Sequence, residues 1–179
     1  MLKKDQAILV VVDVQGKLAQ LMADKDVLFS SLRKVITGFN LLNLPIIWLE
    51  QVPDKLGSTI PEVADLLSEI SPISKTSFGC MGSAEFKLAL DKTGRKNVVL
   101  VGIEAHICVY QSAAQLLEEG YSVSVVKEAV SSRTLENCQI GIDRMAQLGA
   151  SISSVEMLLF ELVQTADDKL FREIASLVK

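Results

Sequence analysis

Ala7-Ile8-Leu9-Val10-Val11-Val12-Asp13 is an unbroken apolar run, rich in β-branched residues and closed by a carboxylate. A strand with one face in water alternates apolar and polar side chains. A run without alternation belongs to a strand covered on both faces. Outward from it, the same pattern returns at Ile46-Ile47-Trp48-Leu49 and at Asn97-Val98-Val99-Leu100-Val101-Gly102. Shorter strands are read over 72–75, 122–126 and 150–154. Between them, residues 27–42 place Val27, Leu28, Leu32, Val35, Ile36, Phe39 and Leu42 at helical spacing, and Pro45 enforces a stop. Further helices are predicted over 62–69, from an N-cap at Ser83 to Leu90, over 108–119 ending at Gly120, over 136–148, over 157–163 and over 169–178. Strands separated by helices of this length form βαβ units with right-handed crossovers. The expected fold is therefore α/β: a three-layer, doubly wound domain over 1–179 with a six-stranded parallel sheet flanked by helices.

Composition narrows the function classes. The 179 residues are 49% hydrophobic and 22% charged, enough for a core without disulfides or metal. The net charge of −4 and the absence of a basic stripe exclude nucleic acid as an expected partner; Lys3-Lys4 and Arg95-Lys96 read as solvated element ends. The apolar run at 7–12 is too short for a signal peptide, and no stretch reaches the roughly 18 apolar residues of a membrane span. Three cysteines, an odd number, point to free thiols in a reducing compartment, so the expected location is cytoplasmic. No Gly-x-Gly-x-x-Gly follows the first strand and no Gly-x-x-x-x-Gly-Lys-Ser/Thr occurs, so no nucleotide cofactor is expected.

In an open α/β sheet, ligands bind beyond the carboxyl ends of the strands. The residues found there are Asp13-Val14-Gln15, Glu50-Gln51, Lys75 and the segment from Gly102 to Cys108. Each has an ordinary structural reading: Asp13 as a turn residue, Lys75 as a snorkelling side chain, Cys108 as a small buried hydrophobe. Together they offer a thiol at the entry to a helix, an ammonium that favours its thiolate, and a carboxylate able to take its proton.

The resemblance lies in these residues. Asp13-Val14-Gln15 after a buried strand, Lys75 at the third strand, and Gly102-Ile103-Glu104-Ala105-His106-Ile107-Cys108-Val109 resemble the isochorismatase-like cysteine hydrolases. The stretch from Glu50 to Glu62 is more similar to the isochorismatase-domain-containing branch of unassigned substrate. The resemblance implies strand order 3-2-1-4-5-6, Cys108 as nucleophile, Asp13 as general base and acid, and Lys75 as the stabilising cation. It also implies a cis peptide between Ile103 and Glu104, with the backbone N–H groups of Glu104 and Cys108 as oxyanion donors. The zinc site of the nicotinamidase branch needs an Asp and two His. Here His106 is the single histidine and Glu50-Gln51 stand where that motif begins, so no metal is expected. Isochorismatases that cleave a vinyl ether lack the cysteine, so Cys108 argues against that reaction.

The reading is a cofactor-free cysteine hydrolase acting by acyl transfer on a small amide-like carbonyl substrate. A low-turnover binding or scaffold member of the fold and a redox-responsive thiol protein stand as alternatives. Phe78, in the loop after Lys75, and Gln51 are the candidates for a substrate pocket. His106 is read as orienting its loop, Cys80 and Cys138 as structural, and Trp48 as core. The apolar stretch Met157-Leu158-Leu159-Phe160 exceeds what one sheet-facing helix needs, so a homo-oligomer is expected.

Overall fold

The computed structural model describes residues 1–179. Strands β1 (Ala7–Val12), β2 (Ile46–Gln51), β3 (Ile73–Lys75), β4 (Asn97–Ile103), β5 (Ser122–Ser131) and β6 (Ser151–Ser153) pair in parallel in the order β3-β2-β1-β4-β5-β6. This is the order that the family resemblance implies. Successive β1 side chains leave on opposite faces, and both faces are covered. Leu9 and Val11 join Leu32, Val35, Ile36, Phe39 and Leu159 on one side, whereas Ile8, Val10 and Val12 join Phe86, Leu90, Leu116 and Ile142 on the other. Two apolar layers with one strand between them account for a run without polar alternation.

Helix α1 is a short turn over Gly16–Gln20, and α2 spans Lys25–Leu41. Ser83 caps α5 (Ala84–Thr93) by accepting from Phe86 N–H at 3.3 Å, and Thr134 caps α7 (Leu135–Gln147) by accepting from Asn137 N–H at 3.2 Å. In the loop after β2 the expected helix over 62–69 shrinks to single turns, α3 (Pro53–Leu56) and α4 (Pro61–Ala64). Helix α6 covers Tyr110–Glu118, α8 Val155–Val163 and α9 Phe171–Leu177.

Two strands run further than their apolar runs. β2 continues through Glu50 and Gln51, because both polar side chains find buried partners. β5 continues to Ser131 after a shift in its register with β4 between Leu100 and Gly102. The Met157–Phe160 stretch is divided: Leu158 and Leu159 are core, and Leu159 packs where Gly38 of α2 leaves no room for a Cβ, while Met157 stays exposed. No helix is long and apolar enough to cross a membrane.

Candidate active site

Asp13 is the first residue beyond β1. Its N–H donates to Leu49 O at 3.2 Å, and its φ of +52° turns the chain out of the sheet. Lys75 ends β3, in register with Gln51, so its side chain must pass over β2 to reach β1, roughly 10 Å at two strand spacings. It does so. Lys75 Nζ donates to Asp13 Oδ2 at 2.6 Å, with both side chains almost wholly out of solvent. The same ammonium donates to Gln51 Oε1 at 2.7 Å, Phe78 O at 3.0 Å and Ser77 O at 3.1 Å. The second carboxylate oxygen, Asp13 Oδ1, is buried and has no hydrogen-bond partner.

Cys108 comes from the other neighbour of β1. After β4 the peptide between Ile103 and Glu104 is cis, and Ala105–Val109 form a wide turn in which Val109 N–H donates to Glu104 O at 3.2 Å. The cysteine thus sits in a π-type turn that precedes α6, two residues before that helix begins. Two glycines make room for the loop. Gly102 has φ +118° and lies against Val12 O, and Gly141 lets α7 approach the backbone of Ala105 and His106. Glu104 accepts from Arg133 through its backbone N–H at 3.0 Å and its Nε at 3.1 Å, while His106 Nδ1 and Ser132 Oγ are 2.8 Å apart.

The site's proton balance departs from the sequence expectation. Burial pushes the Cys108 thiol up to about 12, and the Asp13 carboxylate pushes it in the same direction. The Lys75 charge and a hydrogen bond from the Glu104 backbone N–H pull it down without prevailing. At 8% exposure, desolvation of Cys108 outweighs the pull of an ammonium already paired with Asp13. Asp13 is also raised above its ordinary 3.8, by burial first, against Lys75 and the Cys108 thiol. The thiol and the carboxylate are thus each other's electrostatic neighbours, though Oδ1 has no partner at hydrogen-bond geometry.

Around this cluster, Phe78 leaves its ring 55% exposed, whereas the Gln51 amide is buried and committed, its Nε2 donating to Thr76 O at 2.8 Å. Cys80 is buried with its thiol up at about 11, its N–H held by Ser112 Oγ at 3.0 Å; Cys138 packs inside α7. Trp48 is core, and its Nε1 donates to Thr59 Oγ1 at 2.7 Å. No three His, Cys, Asp or Glu side chains are grouped to hold a metal. A cleft of about 550 Å³ between α2, β5 and α7, lined by Val27, Leu28 and Val130, lies away from the cluster.

Sequence reasoning gave no role to Gln15, which is fully buried. Its Oε1 accepts from Gln51 N–H at 2.6 Å, and its Nε2 donates to Gly57 O at 2.6 Å and Gln51 O at 3.2 Å. It also missed Thr59, whose N–H and hydroxyl both donate to Glu50 Oε1, at 2.7 and 2.8 Å. The only signal for Gln15 was its position just past an apolar strand, and Thr59, in the loop after β2, carried none.

Fold and cluster define an α/β chain of the hydrolase type, with a thiol, a carboxylate and an ammonium gathered at the carboxyl rim of a parallel sheet. The chain belongs to the isochorismatase domain family, whose model matches residues 7–157. It is 34% identical to the secreted isochorismatase effector Isc1 of Phytophthora sojae over 177 residues, 97% of this chain and 84% of that protein. It is 33% identical to mouse isochorismatase domain-containing protein 2A over 175 residues, covering 98% and 84%. The MAR1 ribonuclease structure from Caenorhabditis elegans superposes with a TM-score of 0.92 at 35% identity, covering 99% of this chain and 91% of that one.

Proposed function

We propose that the protein is a cysteine hydrolase, a single domain over 1–179, that cleaves a C–N bond in a small amide-like carbonyl substrate by acyl transfer. Cys108 is the nucleophile, Asp13 the base and then the acid, and Lys75 the cation that holds Asp13 charged. The observation that carries this reading is the division of labour on Asp13: Oδ2 is tied to Lys75 Nζ at 2.6 Å, and Oδ1 is buried without a partner in the carboxylate that neighbours the thiol.

Burial raises the Cys108 thiol, so attack is coupled to loss of its proton. Asp13 Oδ1 takes the thiol proton as sulfur bonds to the carbonyl carbon, and the carbonyl electrons move onto oxygen. The backbone N–H groups of Glu104 and Cys108 are the donors assigned to that oxyanion. When it collapses, the C–N bond breaks and the leaving nitrogen takes the proton from Asp13. Water then attacks the thioester and gives its proton to Asp13. Sulfur leaves, recovers that proton, and the acid departs. Gln51 and Phe78 are assigned to the pocket wall, since both touch the Lys75 ammonium, Gln51 through its side chain and Phe78 through its carbonyl.

A neutral buried thiol weighs against the redox-responsive alternative, because oxidants act on accessible thiolates. The ribonuclease activity named for the nematode relative is not carried over: the one cation in the cluster is already neutralised by Asp13, and the net charge is −4. Unpaired cysteines suit a cytoplasmic location, and exposed Met157 and Phe160 on α8 suit a homo-oligomeric contact. The test is hydrolysis of a panel of small amides by wild type and Cys108→Ala. Turnover confined to the wild type is expected; equal turnover by both removes Cys108 from the reaction.

A further inference from the structure

We infer that Gln51 is a positioning residue that keeps the Lys75 ammonium on Asp13 Oδ2 and so leaves Oδ1 free as the proton acceptor. The consequence for turnover rests on the hydrolase reading; the positioning itself does not. An ammonium has three N–H groups, and Lys75 Nζ has four oxygens within 3.1 Å. Two of them, Ser77 O and Phe78 O, lie on the chain just after Lys75 and would draw the ammonium away from β1. Asp13 and Gln51 pull it back across the sheet, at the two shortest distances, 2.6 and 2.7 Å.

The Gln51 amide has one workable orientation. Its Nε2 donates to Thr76 O at 2.8 Å, so Oε1 faces Lys75; a flipped amide would set N–H groups against the ammonium and oxygen against oxygen. Its backbone is held in turn by Gln15, whose own N–H donates to Asp13 O at 2.8 Å. The result is a closed ring, Asp13 to Lys75 to Gln51 to Gln15 and back to Asp13, in which only the first two members are charged. A neutral acceptor at position 51 matters because it orients the ammonium without competing for its charge. The titratable groups that bear on Asp13 are Lys75 from β3, Glu50 from β2 and Cys108 from the turn after β4, while Cys80 lies within the field of Lys75.

The experiment is a pH titration of the Asp13 side-chain carboxyl by ¹³C NMR, on protein carrying carboxyl-labelled aspartate and assigned with Asp13→Asn. Gln51→Glu places a second carboxylate on the ammonium. It is expected to raise the Asp13 midpoint by about one pH unit, a tenfold drop in the ratio of ionised to protonated carboxyl at a given pH. Gln51→Asn, neutral and one methylene shorter, releases the ammonium towards Ser77 O and Phe78 O and is expected to raise the midpoint by less. If Gln51→Glu fails to fold, Gln51→Asn carries the same test. Gln51→Glu raises the midpoint through its own charge as well, so Gln51→Asn decides: a merely structural role would lower the melting temperature and leave its midpoint in place, and an unmoved midpoint in folded Gln51→Asn overturns the assignment. The titration uses no substrate. A moved midpoint with an inactive amide panel would therefore break the hydrolase reading and keep Gln51, and the reverse pair of results would do the opposite.

Discussion

From Ile8 to Val12 the first strand buries only hydrocarbon, and just beyond it Asp13 and Gln15 are buried as deeply with a charge and an amide. The two regions are adjacent in sequence and differ in what keeps them in place. In the middle of the sheet the stabilisation scales with apolar area and tolerates exchange of one aliphatic side chain for another. At the carboxyl rim every buried polar atom needs its own partner, because a charge without one costs several kcal/mol. Asp13, Lys75, Gln51 and Gln15 meet that need with one another and with backbone carbonyls, and the one oxygen among them left over, Asp13 Oδ1, is the proton acceptor we propose. The rim therefore gives up stability that the interior supplies.

That contrast can be broken by two substitutions. Lys75→Met leaves the Asp13 carboxylate uncompensated in a buried site and is expected to cost roughly 3–5 kcal/mol at neutral pH. Leu100→Ala in β4, a cavity among fully buried neighbours, is expected to cost roughly 2–5 kcal/mol. The magnitudes overlap; the pH dependence separates them. With its cation gone, Asp13 has a folded-state pKa raised still further, so the penalty is fully present above that value and fades as falling pH protonates the carboxyl. The Leu100→Ala cost has no titrating group behind it and holds constant. Denaturant melts of both variants from pH 4 to 8 decide this, and parallel curves would erase the distinction.

A smaller effect sharpens it. The proposed acylation needs Asp13 ionised, and burial holds that carboxyl above 3.8 despite Lys75. The acid limb of kcat/KM on any substrate found is expected above 3.8, rising to a plateau as pH increases; a limb at or below 3.8 would mean that another group takes the thiol proton.

The same contrast explains what could be read from the sequence. Apolar runs at 7–12 and 97–102 gave the strands, and the cap Ser83 sits at the helix start of α5. Strand order came from a family resemblance, since alternation carries no information on which strands are neighbours. Asp13, Lys75 and Cys108 were visible as polar or reactive residues at strand ends. Gln15, Thr59 and the hold of Gln51 on Lys75 were not, because a hydrogen bond between residues 9, 24 or 36 apart leaves no local pattern. The upward push on the Cys108 thiol is not legible for a related reason: helix entry and a nearby lysine can be read from the sequence, whereas desolvation belongs to the folded protein.

The proposed mechanism requires Asp13 to serve as the base for the Cys108 thiol. Intact-protein mass spectrometry after brief exposure to an amide that the wild type hydrolyses tests this directly. The wild type is expected to show the acyl mass on Cys108, and Asp13→Asn, folded and with the thiol still present, is expected to show none. An acyl adduct forming on Asp13→Asn as fast as on the wild type would contradict it.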